Sequence, residues 1–439
     1  MDLAELDIRR FHRFERNRAY LFDRTKESLG LLYAMHWPFR QPETGRGARR
    51  SPFHDRLEAR GACFGVTMGW ERPMWFAGEA QLANYAYGWG RTPWFGNWAQ
   101  EHRATREAVG LFDMSSFAKF RVEGPDAEAV LQDLCTCDAA IEPGQVRYTQ
   151  WLNASGGIEA DLTISRLDWE TYLVVTGAAV AGRDFNWLKR HIGERRAVAT
   201  DVTSGVSSLG LMGPRSRDLL ATLSGDDVSD NALPYRSAAE IEIGYAPVRA
   251  VRISYMGELG YELYVATEFA QHLFDLIAEA GADFGLAMAG HHAMDSLRQE
   301  KGFRHWGHDI GIEDNPLEAG LGFAIDWNAE FVGRDALEPL RGGTPSRRLV
   351  QFKLHDAEAR MYHDEPIYRD GERVGYTTSA SYGHSLGATV GMGYATMIDG
   401  VSREWIEAGE WTIEVASESM TVDAQLAGFY DPKSERMKG

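Results

Sequence analysis

The chain has 439 residues, 44% of them hydrophobic, and a formal net charge of -18 at pH 7. That length buries a large core in two or three domains, and that charge speaks against nucleic acid or an anionic membrane as partner, while leaving room for a local cationic pocket. No apolar run reaches transmembrane length, the opening M-D-L-A-E-L-D lacks a secretory pattern, and Cys63, Cys135 and Cys137 are too few and too unevenly spaced to staple a fold, so a reducing cytoplasm is the expected compartment.

In chain order, 9–16 and 20–35 have helical spacing, with Leu21, Leu29, Leu32 and Tyr33 apolar among charges, and predict a peripheral helix before the break at Trp37 and Pro38. The basic, glycine-rich stretch 43–52 reads either as a strap with solvated arginines or as a loop in which Arg46, Arg49 and Arg50 grip a carboxylate. Between Gly61 and Trp98 aromatic residues crowd together without a helical or alternating period, which predicts a compact loop region. Such a region suits a cage for a flat ring or an alkylated onium group, or equally the filling of a domain seam.

The regular core begins near Trp98 with a helix running to Gly110. A strand at 117–123 leads through Gly124 and Pro125 into a helix ending at Leu134, and the same order returns as a strand at 208–212, Gly213 with Pro214, and a helix ending at Leu223. Between the two units lies a hairpin: a tight turn over Gly156 and Gly157, a strand at 158–167, a polar turn, and a strand at 172–176. Period-two alternation puts Asp161, Thr163 and Ser165 on one face and Leu162 and Ile164 on the other, so a carboxylate rides on a half-apolar strand. The repeat implies an α+β fold, a duplicated core of helices on antiparallel sheets with this hairpin at its centre.

Further strands at 240–243 and 248–254 precede a turn that Gly257 and Gly260 keep tight, placing Tyr255 and Glu258 at the turn and Glu262 with Tyr264 on one strand face. A helix at 268–279 follows. Another across 293–300 presents Arg298 to a cleft or to solvent. His291 and His292 lack the i,i+4 partner of a zinc helix, and Cys135 and Cys137 lack a second ligand pair, so no metal site is expected. The G-G-T-P-S run at 342–346 marks a boundary, after which short glycine-punctuated strands predict a small antiparallel barrel or sandwich. The expected domains are an extension at 1–97 packed on the core, a core at 98–340 and a barrel at 341–439.

Signatures of dinucleotide, P-loop, α/β-hydrolase and zinc-protease sites are missing, which leaves carboxylates in polar and aromatic surroundings. Asp161 suits hydrogen bonding to a ligand amine or moving its proton, and Glu262 suits holding an N–C–N edge with both oxygens. Either equally suits a buried carboxylate satisfied by backbone donors.

Ordered motifs extend this reading: R-E-A-V-G-L-F-D-M-S at 106–115, V-E-G-P-D at 122–126, G-Q-V-R-Y at 144–148, L-N-A-S-G-G-I-E-A-D-L at 152–162, Y-M-G-E-L-G-Y-E at 255–262, N-P-L-E-A-G-L-G at 315–322 and F-V-G-R at 331–334. With them the chain resembles the glycine-cleavage T-protein (aminomethyltransferase) superfamily. The stretch 33–52, G-A-C-F-G at 61–65 and W-E-R-P at 70–73 make it most similar to the folate-binding half of dimethylglycine and sarcosine dehydrogenases. The resemblance implies a folate-binding core with a C-terminal β-barrel, and tetrahydrofolate as cofactor. It also implies Asp161 beside the folate's reactive nitrogen, and Tyr255 and Glu262 against the pterin. Thr176, where the T-protein has Asn, and Arg298 complete the expected cofactor set. Ala160 replaces a second acid, and A-M-D at 293–295 replaces an A-R-D triplet, which speaks against aminomethyl transfer from a lipoyl arm.

In those dehydrogenases a flavin domain precedes this region. Here the chain starts at Met1 shortly before the shared segment and has no nucleotide-binding glycine motif, so it is not expected to oxidise an amine itself. The leading expectation is therefore a tetrahydrofolate-dependent demethylase that moves a methyl from a small onium or methoxy substrate to N5. The alternative is a folate-binding partner of a separate flavoprotein, capturing the one-carbon unit as 5,10-methylenetetrahydrofolate.

Overall fold

A computed structural model of the chain describes residues 12–438. Two antiparallel-dominated sheets, each with helices on its outer face, form the core. The first has five strands in the spatial order Val146–Leu152, Ile158–Asp168, Thr171–Thr176, Ala118–Glu123 and Val198–Asp201. The second has six, in the order Ala238–Ile243, Ala246–Val251, Gly260–Ala266, Val206–Met212, Val109–Asp113 and the parallel Leu286–Met288.

The expected hairpin is present, and its alternation decides its role. Ala160, Leu162 and Ile164 enter a buried cluster with Val130, Leu131, Leu134 and Leu188, contributed by helices Ala127–Leu134 and Ala181–Ile192. Asp161 and Thr163 therefore point the other way, toward the second sheet. That sheet buries Leu209, Leu211, Leu263 and Val265 against Leu219, Leu220, Leu273 and Ile277 of helices Ser216–Leu223 and Ala270–Ala280.

The duplication is visible at atomic detail in its two glycines. Gly124 has φ +127° and Gly213 φ +130°. Each donates its N–H across to the neighbouring loop or strand end, to Glu170 O at 2.9 Å and Leu259 O at 2.8 Å. A Cβ would stand 2.3 Å from Arg196 O at the first and 2.3 Å from Ala108 O at the second, so both turns require glycine.

Two local expectations change, and the expected barrel is present. The aromatic segment is not only loop: Ala62–Thr67 and Trp70–Phe76 form a hairpin whose bulge between Cys63 and Phe64 hides its alternation. The helix expected to end at Gly110 is Phe95–Glu107, and Gly110 belongs to the following strand, where Thr105 leaves no room for a side chain. The last body is a closed six-stranded barrel, with Glu418–Gln425 pairing back to Arg347–Leu354. That closing strand is mostly polar and exposed, with only Val422 buried, which masks it in the sequence.

The N-terminal helix Arg18–Gly30 buries none of its residues, as a peripheral element should, and Arg9 to Phe11 lie outside the described residues. Among the described residues no helix is long and apolar enough to cross a membrane. Helix His291–Lys301 joins core and barrel. Glu300, fully buried, accepts from Arg106 Nη2 at 3.0 Å and from the Ser385 main chain at 2.7 Å, and Arg106 also reaches Met256 O and Glu258.

Candidate functional site

A cavity of ≈ 1090 Å³ lies where the inner faces of the two sheets meet the helix 291–301, the loop 303–308 and the barrel. Asp161, Thr176, Tyr255, Glu262 and Arg298 all line it. Their surroundings differ, and so does the chemistry open to each.

Asp161 sits opposite Gln150 in the sheet register, and Gln150 Nε2 donates to its Oδ1 at 2.8 Å. Burial pushes its pKa from the usual carboxylate value up to about 6, against the opposing pull of Gln150, Tyr148 and Arg304. A carboxyl in that range exchanges a proton readily near neutral pH.

Glu262 faces the cavity from the second sheet. The Tyr264 hydroxyl donates to its Oε2, no ion pair is formed among the described residues, and burial raises its pKa despite the field of Lys119. Close by, Ser208, which is the strand partner of Tyr264, carries a buried Oγ without a hydrogen-bond partner. A carboxylate and an orphaned hydroxyl on one cavity wall form an acceptor set for a planar ligand edge rich in N–H groups.

Thr176 donates to Asp184 Oδ2 at 2.6 Å, Asp184 Oδ1 has no hydrogen bond and stands 3.7 Å from Arg183 Nη1, and burial raises the Asp184 pKa to about 7. Asp184 escaped the sequence reading because G-R-D on an amphipathic helix looks like solvated charge. Tyr255 stacks on Phe303 at 5.9 Å and 19° and donates to Arg304 O at 2.8 Å, which fixes the loop opposite Asp161.

Arg298 is not solvated. It is 2% exposed and pairs with Asp295 at 2.8 Å and Asp309 at 2.5 Å, with Nη1 also on Phe303 O, so most of its donors organise the protein. Residues 43–52 behave as a strap. Arg46 is clasped by Glu71 at 2.6 Å, Arg49 covers Trp70 at 4.4 Å and donates to Met68 O, and Arg50 stands 3.7 Å from Asp55.

The aromatic segment fills a seam and also lines the cavity. Trp75 and Trp94 stack at 5.9 Å in a buried seam with Cys63 and Met256, while Phe95 and Trp98 reach the cavity. Cys135 and Cys137 are free and buried in the core, with Trp151 Nε1 3.3 Å from Cys135 Sγ.

Comparison with known proteins follows this geometry. Residues 53–329 match the GCVT N-terminal domain and 347–431 the glycine cleavage T-protein C-terminal barrel domain, while 1–51 match the FAD dependent oxidoreductase central domain. The opening residues are thus similar to a segment of flavoproteins. The chain is 44% identical over its full length to 53% of 4-methylaminobutanoate oxidase (formaldehyde-forming) of Paenarthrobacter nicotinovorans. It is 32% identical, again over its full length, to 52% of sarcosine dehydrogenase, mitochondrial, of Mus musculus. It spans about half the length of these curated relatives.

The crystal structure of glycine cleavage system aminomethyltransferase T from Bartonella henselae superposes with TM-score 0.74 at 27% identity, covering 88% of this chain and 99% of that one. The expected cytoplasmic compartment does not stand, because the sarcosine dehydrogenase relative is named as mitochondrial. Free, buried cysteines fit any reducing compartment and do not single out the cytoplasm. With both of its globular parts matched, the chain belongs to the glycine cleavage T-protein (aminomethyltransferase) family.

Proposed function

We propose that this chain binds tetrahydrofolate in the cavity and captures, as 5,10-methylenetetrahydrofolate, the one-carbon unit that a flavin-dependent oxidation releases from a small methylated amine. The observation that carries this reading is Asp161, a cavity carboxyl with a pKa of about 6. Joining a one-carbon aldehyde to two nitrogens expels water, so one proton must reach the departing oxygen while another leaves nitrogen. Asp161 is suited to hold and release that proton. What favours capture over direct demethylation is the similarity of residues 1–51 to a flavoprotein segment and of the whole chain to amine-oxidising relatives.

The remaining residues fit the cofactor. Glu262 and Ser208 offer acceptors to the amino-pyrimidine edge, and the Tyr255 and Phe303 rings offer flat faces to the pterin. Arg236, Lys433 and Lys438 line the cavity without an ion pair among the described residues, which favours an acidic glutamate tail there. The flavoprotein-related segment at 1–51 and the names of the relatives favour an N-methylated amino acid as the carbon source, oxidised by a flavin domain or a separate flavoprotein.

The test supplies the protein with tetrahydrofolate, sarcosine and a flavoprotein amine oxidase. Methylene product should form faster than without the protein. 5-Methyltetrahydrofolate formed from an onium donor with no oxidase present would overturn the proposal in favour of direct demethylation.

A further inference from the structure

Arg72 stands in the cavity wall with no carboxylate paired to it among the described residues. Its Nε donates to His291 Nε2 at 2.9 Å and its Nη1 to Thr67 Oγ1 at 3.0 Å, while Nη2 meets the other nitrogen of the same imidazole. Burial keeps His291 neutral at ordinary pH, so among the described residues the side chains that touch this guanidinium, His291, Thr67 and the Phe117 ring at 6.0 Å, are uncharged. Asp113 acts on it only through space and is already engaged by Ser51 Oγ at 2.5 Å and the Ser115 N–H at 3.0 Å. A cation taken out of bulk water among neutral dipoles is under-compensated until an anion arrives.

The cavity that Arg72 lines also holds a wall of rings. Phe39 and His292 lie 4.9 Å apart, His292 and Trp98 5.9 Å, Trp98 and Phe95 6.0 Å, and Phe95 and Tyr382 4.9 Å. His292 is also neutral, its pKa lowered to about 4 by burial. The carboxylate nearest in sequence, Asp295, is occupied by Arg298. Arg360 already covers Phe95 and Tyr382 and Arg91 covers Phe95, so Phe39, His292 and Trp98 are the rings left for an alkylated ammonium. With the Arg72 guanidinium for a carboxylate they make the two ends of a zwitterion's binding site. The ≈ 1090 Å³ cavity stands at the top of the ~300–1,000 Å³ range of single-ligand sites, which leaves room for a second small molecule.

We infer that Arg72 and this ring wall hold a small zwitterionic amino acid, the N-methylated donor or the amine left from it, by its carboxylate and its ammonium. The inference rests on the folate-capture reading and deepens it, since the carrier of the one-carbon unit is then bound by this chain and does not hand its carbon over only as free formaldehyde. The strap arginines are not this reader, because Glu71, Asp55, Trp70 and main-chain oxygens occupy them. Arg360 is another wall guanidinium without an ion pair among the described residues, as are Arg236 and Arg304. Arg360 is stacked over Phe95 and Tyr382 and held by the carbonyls of Glu358 and Ala359, and it serves as the comparison.

Calorimetric titration of the full chain with sarcosine and with sarcosine methyl ester tests this. Loss of a charge-assisted pair predicts that the ester binds at least about 10-fold more weakly than the acid, and that R72Q weakens sarcosine by at least about 10-fold. R72K should fall between, and R360Q should change the affinity by less than about threefold. Sarcosine that fails to bind, an ester that binds as tightly as the acid, or a larger loss in R360Q than in R72Q would overturn the assignment. If R72Q does not fold, the acid and ester comparison on the unaltered protein still decides. Tetrahydrofolate is titrated separately: its failure to bind would sink the folate reading, whereas sarcosine failing alone would sink only this one.

Discussion

Gln150 and Asp161 face one another across two paired strands, and the Gln150 amide donates to the Asp161 carboxylate at 2.8 Å. The register of the sheet therefore places a donor that tempers the rise burial gives to the proton affinity of the residue on which the proposed chemistry turns. Gln150→Leu removes a donor to the charged form, worth about 1.5–3 kcal/mol, so the Asp161 pKa rises by about 1–2 units. The alkaline limb of the pH dependence of methylene product formation, set by loss of the protonated Asp161 carboxyl, should move up by that amount. An unmoved limb would take Asp161 out of the proton transfer.

The same carboxyl bears on stability. Its folded pKa, about 6, lies above its unfolded value, so the fold favours the protonated form. The associated stability is fully present below the unfolded pKa and is lost as pH rises through about 6. Asp161→Asn keeps the group neutral, so in urea unfolding the variant should match the parent at pH 4 and exceed it at pH 7.5 by about 1–3 kcal/mol. Asp184→Asn should behave likewise with the window extending to about 7. A variant that loses ground to the parent between pH 4 and pH 7.5 contradicts the burial account.

Glu262→Gln tests the acceptor wall. Replacing a charged acceptor with a neutral one should weaken tetrahydrofolate binding by about 10- to 100-fold, with the far-ultraviolet circular dichroism unchanged. Calorimetry that finds parent-like affinity would remove Glu262 from the folate site.

The two repeat glycines should fail in parallel. At Gly124 and Gly213 a methyl group meets a carbonyl oxygen 2.3 Å away on a backbone at φ +127° and +130°. Either Gly→Ala change should cost more than about 2 kcal/mol in chemical denaturation. A cost below 0.5 kcal/mol, on the order of an ordinary surface change, at either position would argue against equivalent turns.

Much of this was legible because the relevant signals are local. Alternation around Asp161 gave its face, the paired Gly-Pro turns gave the duplication, and glycine spacing gave the Tyr255 turn. What escaped depends on distant partners. A bulge broke the period of the strands at 62–76, and the polar closing strand of the barrel carries only one buried residue. Arg72 looks like any charged residue until His291, 219 positions away, is found against it. Arg298 looked free until Asp309 closed on it, and Asp184 gave no sign of burial until Thr176 and the hairpin were packed over it.

The most direct measurement follows carbon-13 formaldehyde with tetrahydrofolate by nuclear magnetic resonance, comparing the protein with its Asp161→Asn variant between pH 5 and pH 8. Faster appearance of the methylene carbon with the protein, and loss of that acceleration in the variant, is the predicted result. Equal rates for protein, variant and buffer, with tetrahydrofolate shown to be bound, would contradict the capture role assigned to Asp161.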